Sequence, residues 1–243
     1  MLSWFRKKDV SAPGVPLQTD VHSHLLAGID DGVQTWEESE AIIRRFQQLG
    51  YTKLITTPHV MSDSYRNTTA GILSKLAALR EHLRSKDIAI TIEAAAEYYL
   101  DEMIFEMIQT GQPVLTFGDR YILFETNFLT EPFNLKEFIF LAQSKGFKPV
   151  LAHPERYLYL QDDMNKMEDL INRNVLFQLN ISSITGHYSK NVQRMAYKLI
   201  DKGWVHFLGS DCHHEQHINL LAAAQKMKYY QKALSLPLLN NTL

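Results

Sequence analysis

From Leu17 onward, short apolar runs alternate with longer stretches whose apolar residues recur at helical spacing. Seven runs read as strands, at 17–22, 53–57, 88–95, 121–125, 149–153, 176–179 and 205–209. They are short, apolar and often β-branched, as parallel strands buried on both faces should be. Thr35 and Glu38 form a capping box at the start of one intervening helix, after which Ile42, Phe46 and Leu49 share a face and Gly50 supplies a left-handed stop. Ile72, Leu76, Leu79 and Leu83 make a second stripe. Gly146, Asn174 and Gly203 each end a later helix just before the next strand. This alternation predicts an α/β fold whose parallel strands close, or nearly close, into a β/α barrel, and an open doubly wound sheet satisfies the same pattern. No composition shift or long linker interrupts 17–243, which reads as a single domain, with 1–16 as an N-terminal extension.

Composition narrows the function classes. The 243 residues suit one β/α barrel, and 45% hydrophobic with 21% charged residues is ordinary for a protein with a sizeable core. A net charge of −2 gives no broad basic surface for nucleic acid. The single cysteine, Cys212, leaves no internal disulfide framework and suits a reducing cytoplasm. The basic start lacks the apolar core of a secretory signal, and no run of about eighteen apolar residues predicts a membrane span. Trp4, Phe5, Arg6, Lys7 and Lys8 either touch a membrane surface or partner, or form an arm that packs on the barrel or stays loose.

The candidate chemistry sits at the strand ends. The first strand ends in His22-Ser23-His24, the second in Thr57-Pro58-His59, and the third runs into Glu97. The fourth ends at Glu125 and the fifth in His153-Pro154-Glu155-Arg156. The sixth offers only Asn180, and the last ends in Ser210-Asp211-Cys212-His213. Asp30 and Asp31 lie in the loop after the first histidine pair. In a β/α barrel these ends share one rim, where barrel active sites form. His22, His24, His59, His153 and His213 thus meet Asp31, Glu97, Glu125 and Asp211, a set that divalent metals would stabilise. Positions i and i+2 of a strand point the same way, so His22 with His24, and Asp211 with His213, can each grip one ion. Cys212 then turns away, and a cysteine phosphatase loop would need arginine where Ile218 stands. His82, His187, His206, His214 and His217 fall outside this pattern and read as solvated, structural or supporting groups.

At these residues the sequence resembles the polymerase and histidinol phosphatase (PHP) superfamily, most of all its bacterial manganese-dependent protein-tyrosine phosphatases of capsule and exopolysaccharide biosynthesis. The matching segments are DVHSH at 20–24, GIDDG at 28–32 with Glu37-Glu38-Ser39, TPH at 57–59, AEY at 96–98, LFE at 123–125, LAHPERY at 151–157 and GSDCH at 209–213. The resemblance implies a distorted seven-stranded, TIM-like barrel carrying three divalent ions, manganese by preference, with iron or zinc as alternatives. His22, His24, Glu97 and Asp211 would hold the first; Glu97, Glu125 and His153 the second; Asp31, His59 and His213 the third. It also implies a phosphotyrosine protein substrate, a membrane-associated tyrosine kinase of polysaccharide export being the expected partner, and a cytoplasmic setting.

Phosphate-ester hydrolysis on such a cluster would proceed by metal-activated hydroxide. Arg156, Asp211 and His213 form the expected catalytic set. Arg156 either clamps the phosphate or pairs with Glu155 or another acid at the rim. Tyr98, Tyr157, Tyr159, Phe128 and Phe133 either stack on an aromatic substrate or anchor loops. A small-molecule phosphatase of the histidinol-phosphate type would use the same cluster. A metal-dependent amidohydrolase would need a carboxylated lysine where Glu97 stands. A metal-stabilised binding protein would need neither the full ligand set nor Arg156.

Overall fold

The computed structural model describes residues 16–161 and 163–243, so the aromatic and basic residues at 4–8 lie outside the described residues. Nine short strands run through the described residues: β1 (Thr19–Asp20), β2 (Lys53–Thr56), β3 (His59–Val60), β4 (Thr91–Ala94), β5 (Glu97–Tyr99), β6 (Tyr121–Glu125), β7 (Lys148–Ala152), β8 (Leu176–Asn180) and β9 (Phe207–Gly209). Every pairing is parallel. The order is β1-β2-β4 in a three-stranded sheet and β3-β5-β6-β7-β8-β9 in a six-stranded sheet that curls as a half-barrel. The strands expected at 53–57 and 88–95 end close to the expected positions, at Thr56 and Ala94, and after a two-residue gap each is followed by a further short strand that starts at His59 or Glu97. Pro58, in the first gap, has no N–H for the ladder. The pairing keeps its offset across the gap, with Thr56 opposite Ala94 and His59 opposite Glu97. Ala95 N–H donates to the Thr56 carbonyl and Glu97 N–H to that of Pro58. At the other edge Ser23 bridges Cys212 in parallel, and Asp211 N–H donates to the His22 carbonyl at 2.8 Å.

Side chains divide between two cores according to strand alternation. Val21, Ile55, Ala95, Leu123, Val150, Ala152 and Phe207 fill the inside of the curl with Phe117 and Tyr121, while Leu54, Ile122, Phe124, Leu151 and Phe177 face the helices. Helix α1 (Trp36–Gln48) carries the expected capping box of Thr35 and Glu38 and buries Ile42, Ile43 and Phe46. Helix α2 (Thr69–Ser85) buries Ile72, Leu76, Leu79 and Leu83, the expected stripe. Helices α3 (Glu102–Thr110) and α4 (Leu135–Ser144) come next, with further helices between the later strands. Gly50, Gly146, Asn174 and Gly203 all adopt positive φ, as helix ends before a strand require. None of the described helices is long and apolar enough to cross a membrane.

Candidate metal centre

On three strands the inward side continues past the core to a polar residue. Leu123 is succeeded on the same face by Glu125, Ala95 by Glu97 and Gln178 by Asn180, all of them buried. Two strand ends are re-aimed by left-handed backbone, at His153 (φ 36°) and Asp211 (φ 50°). Such conformations are uncommon for residues other than glycine and cluster where function holds them.

The nine residues expected as ligands gather at this rim. His22 Nε2 lies 3.2 Å from Glu97 Oε2 and 3.4 Å from Asp211 Oδ1, and His24 Nε2 lies 3.5 Å from each of the same two oxygens. His153 Nε2 is 3.0 Å from Glu97 Oε1 and 3.8 Å from Glu125 Oε2. Asp31 Oδ1 is 3.4 Å from both His59 Nε2 and His213 Nε2. His59 also reaches back, its Nδ1 being 3.2 Å from Glu97 and from Glu125. His24 stands with Asp31, His59 and His213 as well as with His22 and Asp211.

The donor set fits divalent cations. His22 Nδ1 donates to Gln178 Oε1 at 2.7 Å and His24 Nδ1 to Asp30 Oδ2 at 2.8 Å. Both Nε2 atoms are then free to present lone pairs, and they face each other at 3.4 Å. Ligand atoms held about 2.1 Å from one cation lie ~3.0–3.4 Å apart, close to the spacing found here. His59 Nδ1 and Glu125 Oε1 are buried without a hydrogen-bond partner among the described residues, although they lie 3.2 Å apart. In the protein alone, protons on imidazoles answer the negative field. Burial opposes the charged form of His22, yet Glu97 and Asp211 outweigh it and raise its pKa to about 9. Burial likewise opposes charge on Asp211, and the histidines, His22 foremost, still hold it well below the usual carboxylate range. A hydrogen bond from His213 leads the effects that bring Asp31 down to about 2.

Several groups that the sequence leaves unassigned support this rim. Gln178 Nε2 donates to Asn180 Oδ1 at 2.9 Å, and Asn180 Nδ2 to Asp211 Oδ2 at 2.6 Å. Two amides on β8, the strand that ends without an expected ligand, thus tie His22 to Asp211. Their i, i+2 spacing was the available signal, but amides alone do not announce a metal site. Asp30 separates from Asp31: it is buried, and besides His24 it accepts the N–H groups of Gly32 and His59. Gly32 must lack a side chain, because a Cβ there would stand 2.3 Å from the His24 carbonyl oxygen. Asp20 accepts both the N–H and the hydroxyl of Ser210, locking β1 to the end of β9.

Arg156 Nη1 bonds Asp211 Oδ2 at 3.1 Å, and its guanidinium lies over the rings of Phe128 and Tyr188. Of the two pairings foreseen for it, an acid at the rim is its partner, but that acid is not Glu155. Glu155 is fully buried and accepts the Ser183 hydroxyl and Asn180 N–H, and burial pushes its pKa up to about 7. Tyr98, Tyr157 and Tyr159 are buried anchors, whereas Phe128 stacks on His153 and Phe133 is 99% exposed. Cys212 is buried, and that burial raises its thiol pKa. His217 Nδ1 accepts the His213 N–H, and His206 Nδ1 that of Phe177. His82 departs from the expectation of a solvated residue: it bonds Glu40 at 2.9 Å and stacks on Trp36. The cleft above the ligands, about 440 Å³, is lined by Tyr65, Tyr99, Phe128, Arg156 and Tyr188 among others.

Parallel strands that bring imidazoles and carboxylates to one rim define a β/α protein with a candidate metal centre. The chain belongs to the capsular polysaccharide synthesis CpsB/CapC family, whose model matches residues 18–233. It is 27% identical over 194 residues to the putative tyrosine-protein phosphatase CapC of Staphylococcus aureus, covering 80% of this chain and 76% of that one. It is 26% identical over 194 residues to the tyrosine-protein phosphatase YwqE of Bacillus subtilis, with the same coverage. Its fold is shared with a solved structure from work on YwqE of Bacillus subtilis and CpsB of Streptococcus pneumoniae, described as unique metal-dependent tyrosine phosphatases. The TM-score is 0.78 at 24% identity, covering 87% of this chain and 89% of that one.

Proposed function

We propose that this protein is a metal-dependent protein-tyrosine phosphatase, acting on phosphotyrosine of a tyrosine kinase that controls capsule or exopolysaccharide synthesis in the cytoplasm. Family membership and the names of the relatives support the activity. The observation that carries the site is that the Nε2 atoms of His22 and His24, 3.4 Å apart, each lie 3.2–3.5 Å from a carboxylate oxygen of Glu97 and of Asp211.

Three divalent ions, manganese by preference with iron or zinc as alternatives, are the cofactors of this reading. When bound, they supply charge neutralisation for the phosphoryl oxygens and a nucleophile at neutral pH. His22, His24, Glu97 and Asp211 would hold one; Glu97, Glu125 and His153 another; Asp31, His59 and His213 the third. Arg156 is fixed by Asp211 on one side and turns its remaining N–H groups to the phosphate, a match for a planar fork. Asp211 thus serves both as ligand and as the group that aims Arg156. His213, its Nδ1 3.0 Å from the Asp211 carbonyl, turns Nε2 towards the cleft. The two sheets are read as one distorted seven-stranded barrel of the PHP type over 17–243, β2 with β3 and β4 with β5 each filling one position. The bridge between Ser23 and Cys212 supports that closure.

The test strips the purified protein of metal, restores manganese, zinc or magnesium, and assays a phosphotyrosine peptide beside histidinol phosphate. Metal-dependent phosphate release from the peptide is expected. His22→Ala and Asp211→Asn should each abolish it with the circular dichroism spectrum unchanged. Preference for histidinol phosphate, or near-normal turnover by either variant, would overturn the reading.

A further inference from the structure

Beside the metal cleft runs a larger groove of about 910 Å³, and Met61 and Tyr99 line both. Its walls are the loop after β3, the first turns of α3, and the loop at 127–134 that leads into α4. Asp63, Glu102, Glu106 and Glu137 face it, and no lysine or arginine among the described residues lines it. The chain as a whole is nearly balanced, with 25 basic and 27 acidic residues, so this concentration is local rather than compositional.

Glu102 and Glu137 stand in the first turns of α3 and α4, where acids suit the helix dipole, but among the described residues none of the four acids has a side-chain hydrogen bond or ion pair. Asp101, at the same wall, is fully engaged: one oxygen caps α3 through Met103 N–H and Ile104 N–H, and the other accepts Ser62 N–H. Glu102 and Glu106 instead stand one helical turn apart, where like charges disfavour the helix. Lys136, next to Glu137 in sequence, pairs with Asp169 at 3.2 Å, and Lys166 pairs with Glu131 at 2.8 Å. Arg66, near the rim, spends its Nε on the Ser62 carbonyl. On the outer lip Phe133 is 99% exposed and Leu129, in the same loop, 66%. An apolar lip over an acidic trough is the pattern of a peptide-binding surface, where an aromatic anchor gives affinity and charge selects the partner.

We infer that this groove docks the polypeptide flanking the phosphotyrosine and selects substrates with lysine or arginine close to it. The inference rests on the phosphotyrosine reading above. An extended segment entering the cleft with its phosphotyrosine leaves past Met61 and Tyr99. Basic side chains on it then meet Glu102, Glu106 and Glu137, and its apolar side chains meet Phe133. Small phosphate esters fill only the cleft and do not sense the groove.

The experiment uses the full chain with manganese and three substrates. Two are phosphotyrosine nonapeptides identical except for lysine or glutamate on both sides of the tyrosine, and the third is p-nitrophenyl phosphate. The lysine peptide should be favoured about tenfold in kcat/KM at low salt, as expected for a few exposed charge pairs, and less at high salt. The double variant Glu102→Lys with Glu106→Lys should erase or invert that preference while p-nitrophenyl phosphate turnover stays unchanged. The milder pair Glu102→Gln with Glu106→Gln should reduce it part of the way. Phe133→Ala should raise KM for both peptides and leave the small ester alone. Equal rates on the two peptides, or a preference that survives both double variants, would overturn the docking role alone. Turnover of the small ester with neither peptide cleaved would sink the phosphotyrosine reading, and the docking role with it.

Discussion

At the scale of residues, the site depends as much on the amides behind the ligands as on the ligands. Gln178 fixes the His22 ring by accepting from Nδ1, and Asn180 fixes Asp211 through Oδ2. Gly209 makes room for this, since a Cβ there would stand 2.6 Å from Gln178 Nε2 and 2.7 Å from His22 Cβ. Replacing Gln178 by leucine should weaken metal binding by about 10–100-fold, the usual effect of losing a partner behind a metal ligand. Competition with a chelating dye would measure it, and Gln178→Glu, which still accepts from His22, should recover part of the loss. Unchanged affinity in the leucine variant would mean that His22 needs no such support.

At the scale of elements, local rules carry the helix ends and tertiary contacts carry the strands. The Thr35 box, the α2 stripe and the positive-φ positions after helices arise from spacing within a few residues. Gly203 has φ 69°, and a Cβ there would meet nothing nearer than Leu236 Cδ2 at 4.0 Å. Gly203→Ala should therefore cost about 1 kcal/mol from backbone conformation alone, read as a lower urea midpoint with unchanged slope. The breaks in the ladder near Pro58 and at 95–96 were less legible. A proline marks one of them, but the alanines opposite carry no signal of their own.

At the scale of the molecule, burying Glu97, Glu125 and Asp211 with His22, His24, His59 and His153 around one rim is tolerable only when their charges are answered. Metal should therefore stabilise the fold as well as serve the reaction. At a hundredfold excess over Kd, one site contributes about 2.7 kcal/mol, which for a chain of this length raises Tm by ~5–10 °C. Calorimetry in chelator and then in excess manganese would show the shift, and a Tm indifferent to both would argue against metal at this rim.

The sequence by itself determined the alternation of strands and helices, the helix stops, and which imidazoles and carboxylates end the strands. Those features are written in spacing, and a strand end exposes its residue types to inspection. Only the tertiary structure decided what Asp30 does, accepting from His24 and from the N–H groups of Gly32 and His59, because its partners lie on both sides of the loop. It alone decided that Arg156 bonds Asp211 rather than Glu155, and that acids from three separate segments share one groove. Such pairings join residues tens of positions apart, and their geometry is fixed by how the sheets curl rather than by any local preference.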